Sequence, residues 1–354
     1  MTSDLVVRDI TKRFDDVLAV DDVSLTVEEG QFLTLLGPSG CGKTTTLRMI
    51  AGFEEPTEGQ ITLGGQDITT VEPYQRPTSM VFQSYALFPH KTVGENVGFG
   101  LKMRGIDSEE RADKVAETLE LVELPGTEDR AIDELSGGQQ QRIALARAII
   151  TEPEVLLLDE PLGALDLKLR KQMQLELKRI QEDLGITFVY VTHDQEEALT
   201  MSDEIVILNN GQIEQRGTPT EIYESPETRF VANFIGDTNL LEGAYKQNGT
   251  GATVSCNGVD LPIAAEPAVE SGQSVSLSLR PEKIHLNGES NSTESLTAEV
   301  EEVIYQGNIA KVHVLVDGVR LVIEQQVVDE VDLPSPGSSC TINWNQESAN
   351  VLTR

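Results

Sequence analysis

The chain has 354 residues, 39% of them hydrophobic, which is enough for two folded domains each with its own core. Its 59 acidic residues against 27 Lys and Arg give a formal net charge of −32, a field that repels nucleic acid and anionic lipid headgroups. No apolar run approaches the ~18 residues needed to cross a membrane, and three scattered cysteines (Cys41, Cys256, Cys340) suit neither a disulfide framework nor a zinc site.

The opening stretch, "MTSDLVVRDITKRF", lacks the charged-then-apolar pattern of a secretory signal, which fits a reducing cytoplasm. Next comes "QFLTLL", a short buried-type strand, followed by "GPSGCGKTT" (Gly37, Pro38, Ser39, Gly40, Cys41, Gly42, Lys43, Thr44, Thr45) and a helical pattern. Gly37, Gly42, Lys43 and Thr44 match the phosphate-binding spacing G-x-x-x-x-G-K-[ST]. The glycines let the backbone curl so that its N–H groups face phosphate oxygens. Lys43 can place positive charge on the β- and γ-phosphates, and Thr44 offers a hydroxyl to Mg²⁺. Cys41 has no evident base beside it and reads as a tolerated small residue.

From about Ser84 to Ile150 helical patterns replace strands, notably "SEERADKVAETLELVEL", so a helical subdomain is expected there. Within it, "LSGGQQQR" places a Ser-Gly-Gly turn before the apolar helix "IALARAII". A helix start of that kind presents free N–H groups and a positive dipole end, which suits an anion. The strand "VLLLDEP" follows and ends in two carboxylates. Their desolvation is costly unless a cation or a chemical step uses them. Asp159 is placed for a Mg²⁺ shell and Glu160 to polarise an attacking water. "LKLRKQMQLELKRIQEDLG" is helical, and "ITFVYVTHD" and "EIVILNNGQI" are further buried-type strands. Fully apolar strands alternating with helices imply an α/β fold whose parallel sheet is covered on both faces.

The texture changes near residue 237. "SVSLSLR", "AKVHVLVDGVRLVIE" and "SCTINW" are short, alternating and punctuated by turns, as in an all-β module. "NGESNSTES" (Asn287 to Ser295) reads as an exposed polar loop, and its "NST" carries no weight as a glycosylation site in the cytosol. The expected domains are therefore 1–236, with the helical subdomain at about 84–150, and 237–354. Acidic residues are spread along the whole chain, which suits a halophile's salt-rich cytoplasm, where screening relieves self-repulsion.

Taken in order, the phosphate loop, "LSGGQ" and "LLLDEP" resemble the nucleotide-binding subunit of an ABC transporter, a P-loop NTPase fold, over about residues 1–235. The resemblance implies an ATPase using ATP and Mg²⁺ and working as a homodimer. In that dimer Ser136, Gly137, Gly138 and Gln139 of one copy would cap the γ-phosphate held by the other. It also implies that Phe14 stacks on adenine, the alternative being an ordinary core position. Gln83 would touch Mg²⁺ and the water and report to a membrane partner. Asp166 would lie in a loop crossing the dimer interface, unless it is only a helix N-cap, and His193 would contact the γ-phosphate. "IYESPETRFVANFIGDTNLLEG" and the strands after it resemble the C-terminal regulatory module of importers, of the oligonucleotide-fold-like (TOBE) type. The segments look closest to spermidine/putrescine importers, with ferric-iron, sugar and sulfate importers as near relatives. Two transmembrane permease subunits, and indirectly an extracytoplasmic substrate-binding protein, are the implied partners, with the chain held on the cytoplasmic face of the membrane. A soluble, non-transport ABC ATPase is the remote alternative; such proteins combine two cassettes or coiled-coil arms with a basic surface.

Overall fold

A computed structural model describes residues 4–163, 165–248, 251–265, 268–287, 295–327 and 333–353. Residues 288–294 of the expected polar loop, with its "NST", lie outside the described residues. The chain divides into two compact units, Met1–Pro219 and Thr220–Arg354.

In the first unit, strands β1 (Leu5–Phe14) and β2 (Val17–Val27) form a hairpin, and β3 (Phe32–Leu36) leads into helix α1 (Lys43–Ala51). Strands β4 (Glu58–Leu63) and β5 (Gln66–Asp67) complete an antiparallel sheet in the order β2-β1-β4-β5. Strand β6 (Thr78–Val81) is followed by four helices, α2 (Val93–Val97), α3 (Phe99–Met103), α4 (Ser108–Leu121) and α5 (Gly137–Ile149). Then come β7 (Val155–Asp159), α6 (Leu167–Leu184), β8 (Thr187–Thr192), α7 (Gln195–Met201), β9 (Glu204–Asn209) and β10 (Gln212–Gly217).

The central sheet runs β10-β9-β3-β8-β7-β6, parallel throughout except for β10 at the edge. Every residue of β3, β7 and β8 is buried, which explains why these strands read as unbroken apolar runs. Alternate residues feed two cores. Phe32, Leu156, Leu158, Phe188 and Tyr190 pack with residues from α2, α4, α5 and α6, while Leu33, Leu35, Val155, Leu157, Val189 and Val191 pack with α1 and the antiparallel sheet. That second sheet was not legible as such in the sequence. Its first strand is broken by register shifts between Val7 and Lys12, so the period-two alternation slips midway.

The second unit opens on two short helices, α8, which starts at the division (Pro219–Glu224), and α9 (Arg229–Phe234). Among the described residues ten strands follow: β11 (Asn239–Asn248), β12 (Gly251–Cys256), β13 (Val259–Ile263), β14 (Ser274–Leu279), β15 (Ile284–Leu286), β16 (Leu296–Tyr305), β17 (Ile309–Val316), β18 (Val319–Gln326), β19 (Ser339–Trp344) and β20 (Ala349–Leu352). They form two antiparallel five-stranded sheets, β13-β12-β11-β14-β20 and β15-β19-β16-β17-β18, around one core that contains Trp344 and Tyr245. The helices are fastened to this unit by Arg280. Its buried guanidinium donates to the carbonyls of Tyr223 (3.1 Å), Ala232 (3.3 Å) and Asp237 (3.0 Å) and lies over the Tyr223 ring.

Candidate nucleotide site

The phosphate loop joins the end of β3 to α1. Its shape requires glycine at two positions. A Cβ on Gly37 would lie 2.2 Å from the Leu208 carbonyl oxygen, and one on Gly42, at φ 104°, would lie 2.6 Å from that of Ala19. No side chain caps α1, so the first-turn N–H groups stay directed at the loop rather than satisfied within the helix. The Lys43 ammonium sits inside the curl, donating to the carbonyls of Gly37 (2.7 Å) and Pro38 (2.8 Å). Ser39 and Gly40 at the loop's tip are exposed, while Cys41 is buried beneath it, in the core shared with α1. An anion of phosphate size fits such a donor set: backbone N–H groups, one ammonium and the Thr44 hydroxyl.

The far edge of the loop meets the end of β7. Thr44 Oγ1 donates to Asp159 Oδ1 at 2.8 Å, bringing together two of the oxygen ligands expected for Mg²⁺. Burial pushes the Asp159 carboxyl above the ordinary range, and the Thr44 hydrogen bond opposes the shift. One residue on, the chain turns sharply: Glu160 has a left-handed φ of 45°, an uncommon conformation for a non-glycine residue. That turn aims the Glu160 carboxylate between two side chains from other strand ends. Gln83 Nε2 donates to Oε2 at 3.0 Å, and His193 Nδ1 lies 3.0 Å from Oε1. Three residues separated by up to 110 positions thus meet on one carboxylate. They sit beyond the carboxyl ends of β6, β7 and β8, neighbours in the sheet, where open α/β sheets bind ligands.

The Ser-Gly-Gly turn lies at the start of α5. Ser136 is its N-cap, and Ser136 and Gln139 form a reciprocal capping box. Ser136 and Gly137 are exposed, whereas Gly138 is buried, where an added Cβ would press on Leu169 at 3.0 Å. Among the described residues, no hydrogen bond or ion pair joins this turn to the phosphate loop of its own chain. Asp166 is the N-cap of α6, accepting from Leu169 N at 3.0 Å. Phe14, at the end of β1, is no core residue: the residue is 40% exposed, with the Lys12 ammonium 4.8 Å from its ring centre.

Sequence reading missed Arg147 on α5. Its guanidinium donates to the carbonyls of Tyr85 and Ala86, each at 2.7 Å, and so holds the turn that follows Gln83. Both residues have left-handed backbones, φ 61° and 47°. Burial lowers the Arg147 pKa. The only local signal was a charge inside the apolar run "IALARAII".

A family model described as ABC transporter matches residues 20–163, and one described as TOBE domain matches residues 277–352. The chain is 52% identical, over 98% of its own length and 92% of the relative's, to the spermidine/putrescine import ATP-binding protein PotA of Rubrobacter xylanophilus. It belongs to the ABC transporter ATP-binding proteins. The protein of the same designation from Acetivibrio thermocellus is 49% identical to this ABC ATPase, over 100% of this chain and 98% of that one. Among solved structures, the dimeric post-hydrolysis state of the ATP-binding cassette MJ0796, bound to ADP and Pi, matches with 33% identity and a TM-score of 0.54. That match covers 61% of this chain and 98% of the cassette. The ABC ATPase fold therefore accounts for the first unit, a TOBE-type β-domain for the second, and ATP hydrolysis for the activity. Among the described residues, no helix of this ABC ATPase is long and apolar enough to cross a membrane.

Proposed function

We propose that this chain energises import of polyamines, spermidine and putrescine among them, as the ATP-hydrolysing subunit of an ABC importer. The observation that carries the hydrolytic part is the Glu160 carboxylate held between Gln83 and His193, one residue past an Asp159 bonded to Thr44. The substrate class rests on near-full-length similarity to relatives named for spermidine/putrescine import. Ferric iron, sugars and sulfate are the substrates to test against it.

In this reading ATP lies with its phosphates on Gly37–Thr45, with Lys43 supplying positive charge and the exposed Phe14 ring stacking on the base. Mg²⁺ would be held by Thr44, Asp159 and Gln83 and would neutralise charge on the β- and γ-phosphates. Glu160 takes a proton from the attacking water. The water oxygen bonds to the γ-phosphorus as the bond to the β–γ bridging oxygen breaks. Gln83 and His193 hold the carboxylate in place, so the chain's work is chiefly positioning and electrostatics. Among the described residues the Ser136–Gln139 turn makes no hydrogen bond or ion pair to its own phosphate loop, which supports its use against the phosphates of a second copy, with Asp166 close to that contact. Two permease subunits, fed by an extracytoplasmic binding protein, would carry the substrate, and the chain would be held at the cytoplasmic face of the membrane through them.

The test is uptake of labelled spermidine, ferric iron and maltose by cells making this chain or its Lys43→Ala variant. Loss of spermidine uptake alone supports the reading. Loss of another substrate instead keeps the importer and replaces the substrate, and unchanged uptake of all three refutes the polyamine assignment.

A further inference from the structure

Arg170 lies one turn inside α6, four residues after Asp166, and its guanidinium reaches two separate loops. One terminal nitrogen donates to the Leu165 carbonyl at 3.1 Å, immediately before Asp166, and the other to Asp194 Oδ2 at 3.1 Å, immediately after His193. The remaining nitrogen, Nε, is buried, has no hydrogen-bond acceptor and lies 4.0 Å from Glu197 Oε1.

The receiving side is rigid. Asp194 caps α7 by accepting from the N–H groups of Glu196 (2.8 Å) and Glu197 (3.3 Å), while its own N–H donates to Thr192 Oγ1 at 2.9 Å. Thr192 Oγ1 and the Tyr190 hydroxyl each donate to Glu197 Oε2 at 2.7 Å, and Glu197 is only 3% exposed. Both neighbours of His193 are therefore fixed to one network, and that network's cation is Arg170. A guanidinium presents its donors in a planar fork, so the geometries of its two contacts are linked. Through that link a displacement of the Leu165 carbonyl would reach Asp194, and from there the histidine 3.0 Å from Glu160.

We propose that Arg170 is a positioning residue that ties the Leu165–Asp166 turn to His193, so that the placement of that turn sets the histidine against the Glu160 carboxylate. The inference rests on the reading of Glu160 and His193 as the hydrolytic pair. Where the Asp166 turn meets a second copy of the chain, it makes hydrolysis rather than ATP binding answer to that copy.

The test uses the full chain with Arg170→Lys, which keeps the positive charge facing Asp194 and Glu197 but replaces the fork with a single ammonium. The expected result is a melting temperature within a few degrees of the parent, a KM for ATP within about threefold, and kcat lower by roughly tenfold or more. With isotope-labelled histidine, the ring signal of His193, one of four histidines and assigned by its loss in His193→Ala, should shift while the other three stay in place. Full kcat in Arg170→Lys beside an impaired His193→Ala overturns this inference alone, as does an unmoved His193 signal. Full kcat in His193→Ala overturns the hydrolytic reading of the histidine and this inference with it. A rise in KM with kcat unchanged assigns Arg170 to nucleotide binding and also overturns it.

Discussion

Replacing Glu160 by Gln changes one oxygen to an amide nitrogen and leaves the shape of the side chain intact. The left-handed backbone at φ 45° is no harder for Gln than for Glu, so the turn is preserved. Both neighbours can still bond the new group: Gln83 donates to the retained oxygen, and the amide nitrogen faces His193 Nδ1. Each contact becomes a neutral hydrogen bond in place of a charge-assisted one, a loss of about 1 kcal/mol apiece at most. The His193 side chain is 58% exposed, so solvent screening brings the summed loss down to roughly 1 kcal/mol, a few degrees in melting temperature. The phosphate loop, Lys43 and Thr44 are untouched, so ATP affinity should stay within about threefold. Loss of the base, in contrast, should lower kcat by ~10²–10⁴, equivalent to about 3–5 kcal/mol on the barrier. Phosphate release at saturating ATP measures kcat, equilibrium dialysis measures binding, and sedimentation with ATP should show a dimer that persists because ATP is not consumed. A variant that keeps more than about a tenth of the parent kcat would refute the assignment of Glu160 as base. A variant that no longer binds ATP would refute the claim that the loop and the carboxylate act independently.

Gly42→Ala should abolish tight ATP binding, with affinity falling by well over tenfold by dialysis, because its Cβ would lie 2.6 Å from the Ala19 carbonyl oxygen at a φ of 104°. Binding at parental affinity would show that the loop can shift to accept a methyl group. Arg76→Ala should destabilise the first unit by on the order of 3 kcal/mol in urea unfolding. The Arg76 guanidinium is buried and donates to the carbonyls of Met49 and Ile50 at the end of α1 (both 2.8 Å), Val71 (2.7 Å) and Thr69 (2.9 Å). A midpoint unchanged within error would show that water replaces these bonds at no cost. Glu197 carries a pKa raised above its ordinary 4.5 chiefly by burial, so the folded chain holds its proton more tightly than the unfolded chain. Its ionisation therefore costs stability above the raised pKa, and that cost is relieved as pH falls towards 4.5. Glu197→Gln should flatten this part of the stability-versus-pH curve; an unchanged slope across the window would assign the proton uptake elsewhere.

The curl after β3 was legible because its demands are local. A strand, a glycine-bearing curl, a lysine and a hydroxyl follow one another within a few residues, and Lys43 and Thr44 stand in the first turn of α1. The capping box at Ser136 was legible in part: Ser-Gly-Gly marked a helix start, and Gln139 closing the box follows the same short-range rule. Asp166 shows the opposite limit, since an N-cap and a residue at an interface look alike in sequence, and the single chain displays only the cap. Phe14 was open between core and surface until the end of β1 was seen to leave its ring exposed.

What the sequence by itself determined was local: apolar strands that must be buried on both faces, a glycine-bearing loop that must curl, and two carboxylates that close a strand. These follow from backbone sterics and desolvation acting over a few residues. Only the tertiary structure decided which groups meet. The order β3-β8-β7-β6 places the ends of β6, β7 and β8 side by side, so Gln83, Glu160 and His193 converge although nothing in their spacing requires it. The arginines behind them were illegible for the same reason. Arg147 and Arg170 bond backbone carbonyls, and a carbonyl belongs to every residue, so no side-chain pattern announces the partner.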